Sequence, residues 1–277
     1  MLRENQKIIL LMTTMTLKLV KLDQSNVCSF DTYVSQELPH FFFFILDWKF
    51  NRDDTEIWLA LRKKEINGMM LIFKRSIVHL RGTSPAIEAL LNKLELEKFE
   101  INTEMAHSEI VHEKYRLSGE HELLLMILKR GEENLVSTES IVRLYPERAG
   151  EIAELMRCTS PEIWGNMTTD RIEASMNRNL WLGVIVDNRL ASVGSTFLMD
   201  PVSNINTVAT HEDYRNRGYA TQVVSALVRE ILRRNSTALS HVLKDNLPAR
   251  RVYGKVGFKP YRSYLYGFAE LKVTYRA

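Results

Sequence analysis

One stretch in the C-terminal half limits the folds open to this chain more than any other. Ile205–Thr210 reads as a buried strand and passes through His211-Glu212-Asp213-Tyr214 and Arg215-Asn216-Arg217-Gly218 into a run of helical periodicity. From Ala220 the apolar residues are Ala220, Val223, Val224, Leu227, Val228 and Ile231. That i, i+3, i+4, i+7, i+8, i+11 spacing predicts a helix with one face to bury against a sheet. Arg229, Glu230, Arg233 and Arg234 fall on the opposite, solvated face. Leu239–Leu243 reads as a further strand, and a second helix follows it. That helix has Asn246 as its N-cap, Pro248 in its first turn and Gly257 as its stop. Ala249, Val252, Tyr253 and Val256 line one of its faces.

Ahead of these crossover units lie hairpin patterns, and they occur twice. In the first half Ile57–Leu61 reads as a strand, Asn67-Gly68 as a hairpin turn, and Met69–Phe73 and Ile77–Leu80 as strands. In the second half Leu180–Val186 is a strand, Asp187-Asn188 a turn and Ala191–Met199 the returning strand. Ile57-Trp58-Leu59-Ala60-Leu61 even resembles Leu180-Trp181-Leu182-Gly183-Val184, a short trace of duplication. Helical patterns at Pro146–Met156 and Thr169–Arg178 precede the second hairpin. Helices mixed with hairpins and crossovers imply an α/β or α+β architecture around a mixed sheet. A polar break at Lys129–Ser140 divides the 277 residues into 1–135 and 136–277, each long enough to bury a core.

Composition narrows the function classes. A formal net charge of +3 with no like-charged tail demands neither nucleic acid nor an anionic membrane as partner. The apolar runs Ile8–Met12 and Phe41–Leu46 are too short to span a bilayer. Ile8–Met12 reads as a first strand or as a leader before a later start at Met12 or Met15, and a cytoplasmic protein is the expectation. Cys28 and Cys158 are the two cysteines, without ligand spacing, so neither a zinc site nor a disulfide scaffold is expected. His107 and His112, with Glu109 and Glu113 nearby, match no metal-ligand pattern and read as a solvated helix face; no metal is expected. No oligomeric state is implied.

The turn between Thr210 and Ala220 has the makings of an anion site. Unpaired N–H groups of a first helical turn point outward, and the helix dipole adds partial positive charge. Gly218 leaves room for a phosphate to approach the backbone. Arg215 and Arg217 can add charge-assisted bonds.

The two motifs RxxGxA at Arg215–Ala220 and NxxAxxxYxxxGF at Asn246–Phe258 resemble those of the GNAT superfamily of N-acetyltransferases, in order and in strand-to-helix context. Glu212–Ala220 and Ser240-His241-Val242 look most like the glycine N-acyltransferase-like branch, whose members carry a second, degenerate GNAT-like domain N-terminally. Residues 1–135 contain neither motif, so one coenzyme site per chain is expected.

The resemblance implies acetyl-coenzyme A as co-substrate, its diphosphate on the backbone N–H groups of Arg217, Gly218, Tyr219, Ala220 and Thr221. The pantetheine arm would lie between Ile205–Thr210 and Leu239–Leu243. Main-chain groups of Val208, Ala209 and Thr210 would pair with the arm and polarise the thioester, and Asn246 would bond the coenzyme or hold the loop. Tyr253 stands where the family places the proton donor to the leaving thiolate. The acceptor would be a small amine, amino acid or peptide N-terminus, attacking directly, with Cys158 outside both motifs. Asn204 stands where the glycine-acyltransferase relatives have a glutamate base. Asparagine does not titrate, though it can orient a water or the acceptor, so His241 and then His211 become the candidate bases. Trp164 is a candidate edge of the acceptor pocket. The same residues admit a coenzyme-binding sensor or pseudoenzyme without turnover, or a first half that binds partner proteins.

Overall fold

The computed structural model describes residues 17–272, so the Ile8–Met12 run lies outside the described residues. Two compact units emerge: residues up to Leu123 together with those from Ser263 onward, and Leu124–Arg262. The first contains β1 (Lys18–Lys21), α1 (Val27–Val34), α2 (Phe42–Phe50), β2 (Thr55–Arg62), β3 (Glu65–Phe73) and β4 (Ile77–Gly82). It continues with α3 (Ser84–Lys93), β5 (Lys98–Glu104), α4 (Ser108–Lys114) and the start of β6 (Tyr115–Lys129). The second contains β7 (Ile141–Arg143), α5 (Ala149–Thr159), α6 (Pro161–Trp164), α7 (Thr169–Met176), β8 (Leu180–Val186) and β9 (Arg189–Phe197). After these come β10 (Ser203–Thr210), α8 (Tyr219–Leu232), β11 (Thr237–Leu243), α9 (Leu247–Val256) and the start of β12 (Lys259–Leu271).

The two series are the same series: strand, helices, three antiparallel strands, helix, parallel strand, helix, strand. β2 and β8, which carry the matching five-residue stretches, occupy equivalent places. Strand order is β1-β2-β3-β4-β5-β12 in the first unit and β7-β8-β9-β10-β11-β6 in the second. The strand beside β5 is therefore formed by Tyr264–Glu270, and the one beside β11 by the end of β6.

The units part inside β6, not at the 135/136 boundary expected from the polar stretch. That stretch is bound to the second unit. Arg130 donates to the carbonyls of Leu232 (2.6 Å) and Asn235 (2.8 Å), and the Asn134 N–H to that of Val256 (2.8 Å). Polarity here marks a segment tied down by its own hydrogen bonds.

A second correction concerns Asn67-Gly68, which lies within β3. The β2–β3 turn is Lys63-Lys64, both left-handed at φ 51° and 71°. Gly68 is needed for packing: a Cβ there would fall 2.7 Å from that of Ala86 on α3. In the second unit the turn is Asp187-Asn188, as the sequence suggests, at φ 49° and 62°.

The second unit buries its sheet on both faces. On one face Val223, Val224, Leu227, Val228 and Ile231 of α8 pack with Ile205, Ala238, Val242, Tyr253 and Val256. On the other, Ile152, Ala153 and Met156 of α5 pack with Trp181, Val193 and Ala209.

Candidate active site

β10 and β11 run parallel for three residue pairs, Ser203↔Ala238, Asn204↔Leu239 and Ile205↔Ser240, and then part. A bulge between Ile205 and Thr207 marks the same point on the β9 side. Beyond it β10 pairs with β9 as far as Thr210↔Ser192. The His211 N–H donates to the Ala191 carbonyl (2.9 Å), and the Ala209 carbonyl accepts from Ser192 Oγ (3.1 Å). Residues 209 and 211 thus address β9, and the alternation of a strand turns the main-chain groups of Val208 and Thr210 toward the fork. The Thr210 carbonyl accepts from Arg215 Nε at 3.4 Å. The main chain of Val208, rather than that of Ala209, faces the opening.

The fork leads to the N-terminus of α8. Glu212–Tyr214 form a 3₁₀ turn, capped by His211, whose Nδ1 accepts from the Asp213 N–H at 3.3 Å. His211 is thereby committed to the turn. Arg217 lies over the Tyr214 ring, 5.5 Å from its centre, and both Arg215 and Arg217 are exposed. Gly218 is the N-cap of α8 at φ 84°, with no side-chain cap. A Cβ on Gly218 would meet nothing within 4 Å, so the space above the helix end is open. The N–H groups of Tyr219, Ala220 and Thr221 have no intrahelical acceptor. In a 14-residue helix they also sit at the positive end of the dipole. This cradle fits a phosphate group.

α9 closes the other side. Asn246 Oδ1 accepts from the Ala249 N–H (3.1 Å), so Asn246 acts as the helix cap. Gly257 ends the helix at φ 113°, where a Cβ would fall 2.5 Å from the Glu132 carbonyl oxygen. Tyr253 is buried with its ring edge-on to Phe258. Burial pushes its hydroxyl above the usual range, and the hydroxyl of Ser240 pulls weakly the other way. Ser240 Oγ is itself buried and makes no well-formed hydrogen bond.

Ser240 and His241 are consecutive on β11 and point to opposite faces. His241 Nδ1 lies 3.0 Å from Asn204 Oδ1. The Asn204 amide donates to the Ile205 carbonyl (2.9 Å) and to Asn206 Oδ1 (3.1 Å). The structure thus joins Asn204 to His241 and sets Tyr253 on the opposite side of the sheet. Asn206 and its neighbour Asn179 were missed in the sequence, although Asn204 and Asn206 stand at strand spacing.

Other candidates lie elsewhere. Cys158 is exposed near the end of α5, and Trp164 packs against the core between α5 and α7. His107 is buried, contrary to a solvated helix face, and its Nε2 bonds the Gly82 carbonyl at 2.9 Å. Among the described residues no group of three or more His, Cys, Asp or Glu is placed to hold a metal ion. None of their helices is long and apolar enough to cross a membrane.

Residues 182–266, which hold the fork, match the family model of the FR47-like proteins. The uncharacterized N-acetyltransferase YobR of Bacillus subtilis (strain 168) is 28% identical over 78 residues, 28% of this chain. The match spans about a third of YobR's length, 32%. A tandem GNAT protein from the clavulanic acid biosynthesis pathway superimposes with a TM-score of 0.60 at 14% identity, covering 94% of this chain and 100% of that one. A GNAT-family protein from Novosphingobium aromaticivorans DSM 12444 gives 0.54 at 18% identity, covering 74% and 89%. The protein has the GNAT fold, built as a tandem. Its second unit is the part similar to the FR47-like family.

Proposed function

We propose that this protein is an N-acyltransferase that moves an acetyl or other short acyl group from acyl-coenzyme A to a primary amine. The observation that carries the reading is the fork between β10 and β11 opening onto the uncapped N-terminus of α8. The backbone N–H groups of Arg217–Thr221 would hold the diphosphate, with Arg215 and Arg217 adding charge-assisted bonds. The main chain of Val208 would pair with the pantetheine arm and polarise the thioester carbonyl, the kind of preorganised donor that contributes most to acyl transfer. Asn246 holds the start of α9. Tyr253, kept protonated by burial, would donate to the leaving thiolate, whose ordinary pKa is about 8.5. His241 would take the proton from the attacking amine. An imidazole titrates ordinarily near 6.5, within about 1.5 units of an α-amino group and about 4 of a lysine. A peptide N-terminus is therefore the acceptor that such a base suits best, among the small amines, amino acids and peptide N-termini that the resemblance implies.

The absence of a titratable side chain at position 204 favours a second reading, a coenzyme sensor without turnover. Calorimetric titration with acetyl-coenzyme A, and with coenzyme A as product control, tests the common part: saturation near one site per chain is expected. Thiol release with a panel of amino acids and peptides then separates the two readings. Binding without release from any amine leaves the sensor, and no binding of either compound removes both.

A further inference from the structure

We infer that Asn204 is a positioning residue that holds His241 in the tautomer able to accept a proton at Nε2, with Asn206 and Asn179 holding Asn204 in turn. A main-chain carbonyl can only accept, so the Asn204 atom 2.9 Å from the Ile205 oxygen is Nδ2. Its second hydrogen goes to Asn206 Oδ1 at 3.1 Å. The amide is planar, so Oδ1 turns the other way, onto His241 Nδ1 at 3.0 Å. An amide oxygen carries no proton. The shared hydrogen must therefore sit on Nδ1, and the basic lone pair on Nε2.

The amides beyond run in the same sense. Asn206 Nδ2 donates to Asn179 Oδ1 (3.5 Å), and Asn179 Nδ2 to Ser175 Oγ (2.6 Å), which also accepts from Trp181 Nε1 (3.3 Å). Each amide donates away from His241. Turning Asn204 over would set its oxygen against two acceptors, the Ile205 carbonyl and Asn206 Oδ1, at a site that is 6% exposed. Water cannot compensate there, so the unmade bonds keep their full cost. The bulge between Ile205 and Thr207 is part of the device, because it coincides with Asn206. An asparagine thus supplies what the orienting carboxylate of a catalytic triad supplies, namely which end of the imidazole is the base, without adding charge.

The catalytic use of this pair rests on the acyltransferase reading; the tautomer does not, and the test separates them. Long-range ¹H–¹⁵N spectra of ¹⁵N-histidine protein, with His241 assigned from the His241→Gln spectrum, read the tautomer directly. The expected neutral ring has a protonated Nδ1 and a pyridine-type Nε2. Asn206→Leu, at an exposed position, should give a mixture of tautomers and lower kcat by about two- to tenfold, in proportion to the molecules diverted. KM for the acyl donor should not change. Asn206→Asp keeps the acceptor and should restore both tautomer and kcat. A wild-type ring protonated at Nε2 overturns the inference, as does a single unchanged tautomer in both Asn206→Leu and Asn179→Ala. The expected tautomer with no thiol release from any amine would leave the Asn204 assignment standing and remove the acyltransferase reading. Undiminished turnover in His241→Gln would overturn the catalytic use.

Discussion

The first unit contains its own fork. β4 and β5 run parallel for three pairs, Ile77↔Glu100, Val78↔Ile101 and His79↔Asn102, the same number that joins β10 to β11. Past that point the two units differ. In the second, the residues from His211 to Gly218 form a loop that leads the chain to an open helix end. In the first, β4 ends at Gly82 and α3 begins at Ser84. One residue, Thr83, separates strand from helix, so the first unit has no loop there like that of His211–Gly218; a Cβ at Gly82 would also fall 2.3 Å from Gly68 Cα on β3. The fork is filled from within. The Arg81 guanidinium, 1% exposed, donates to the carbonyl and to Oδ1 of Asn102 (3.0 and 2.5 Å) and lies 4.1 Å from the centre of the Tyr264 ring. His107 bonds the Gly82 carbonyl beside the start of α3. A parted strand pair is thus the common skeleton. Whether it is a site depends on one loop and on whether a side chain takes the place of a ligand.

The largest expected effect breaks the plug. Arg81→Leu removes a buried cation from its acceptors and from Glu104, and should cost about 3–5 kcal/mol in urea denaturation while leaving coenzyme affinity per folded molecule unchanged. Coenzyme affinity that falls in step with stability would show that the two forks are not independent.

Gly218→Val tests the open fork. A β-branched residue at φ 84° is strained and projects over the free N–H groups. Affinity for acetyl-coenzyme A should fall about a hundredfold, about 2.8 kcal/mol, in calorimetric titration. Unchanged affinity would move the phosphate site off α8.

Tyr253→Phe should leave binding intact and lower kcat about thirtyfold. That is below the usual range for a general acid, because a thiolate leaves readily. Equal turnover in the two proteins would take Tyr253 out of the mechanism.

The smallest effect is acid stability. Burial raises the Glu104 carboxyl, but the hydrogen bond from His107 and the charges of His40, Arg81 and His107 outweigh it and hold the group down at about 2. A depressed folded pKa gives stability that is present above the unfolded value, near 4.5, and lost as pH falls toward 2. Glu104→Gln should be less stable than the native chain at pH 7 but lose less on going to pH 3. Parallel pH profiles for the two would show that Glu104 is not held by the plug.

The second unit was the more legible because its chemistry lies in local patterns. The α8 stripe, the Asn246 cap and the Gly257 stop are each set by neighbours in sequence, and each stands where periodicity and capping rules put it. The plug in the first unit was invisible, since Arg81 meets Asn102, His40 and Tyr264 only through tertiary packing. Asn67-Gly68 misled for a related reason. A glycine wanted for the approach of a helix carries the same letters as one wanted for a turn. The pairing of Asn204 with His241 depends on the register of two strands 37 residues apart, which no single-strand pattern records.

The placement of the last strand bears on how the chain comes to be made. Tyr266, on the strand beside β5, donates to Glu100, 166 residues upstream. A chain emerging from the ribosome therefore holds its first unit with an open edge until β12 has been synthesised. Open edges invite wrong pairing. Ending the chain just before β12 would leave β5, far upstream, without its neighbouring strand.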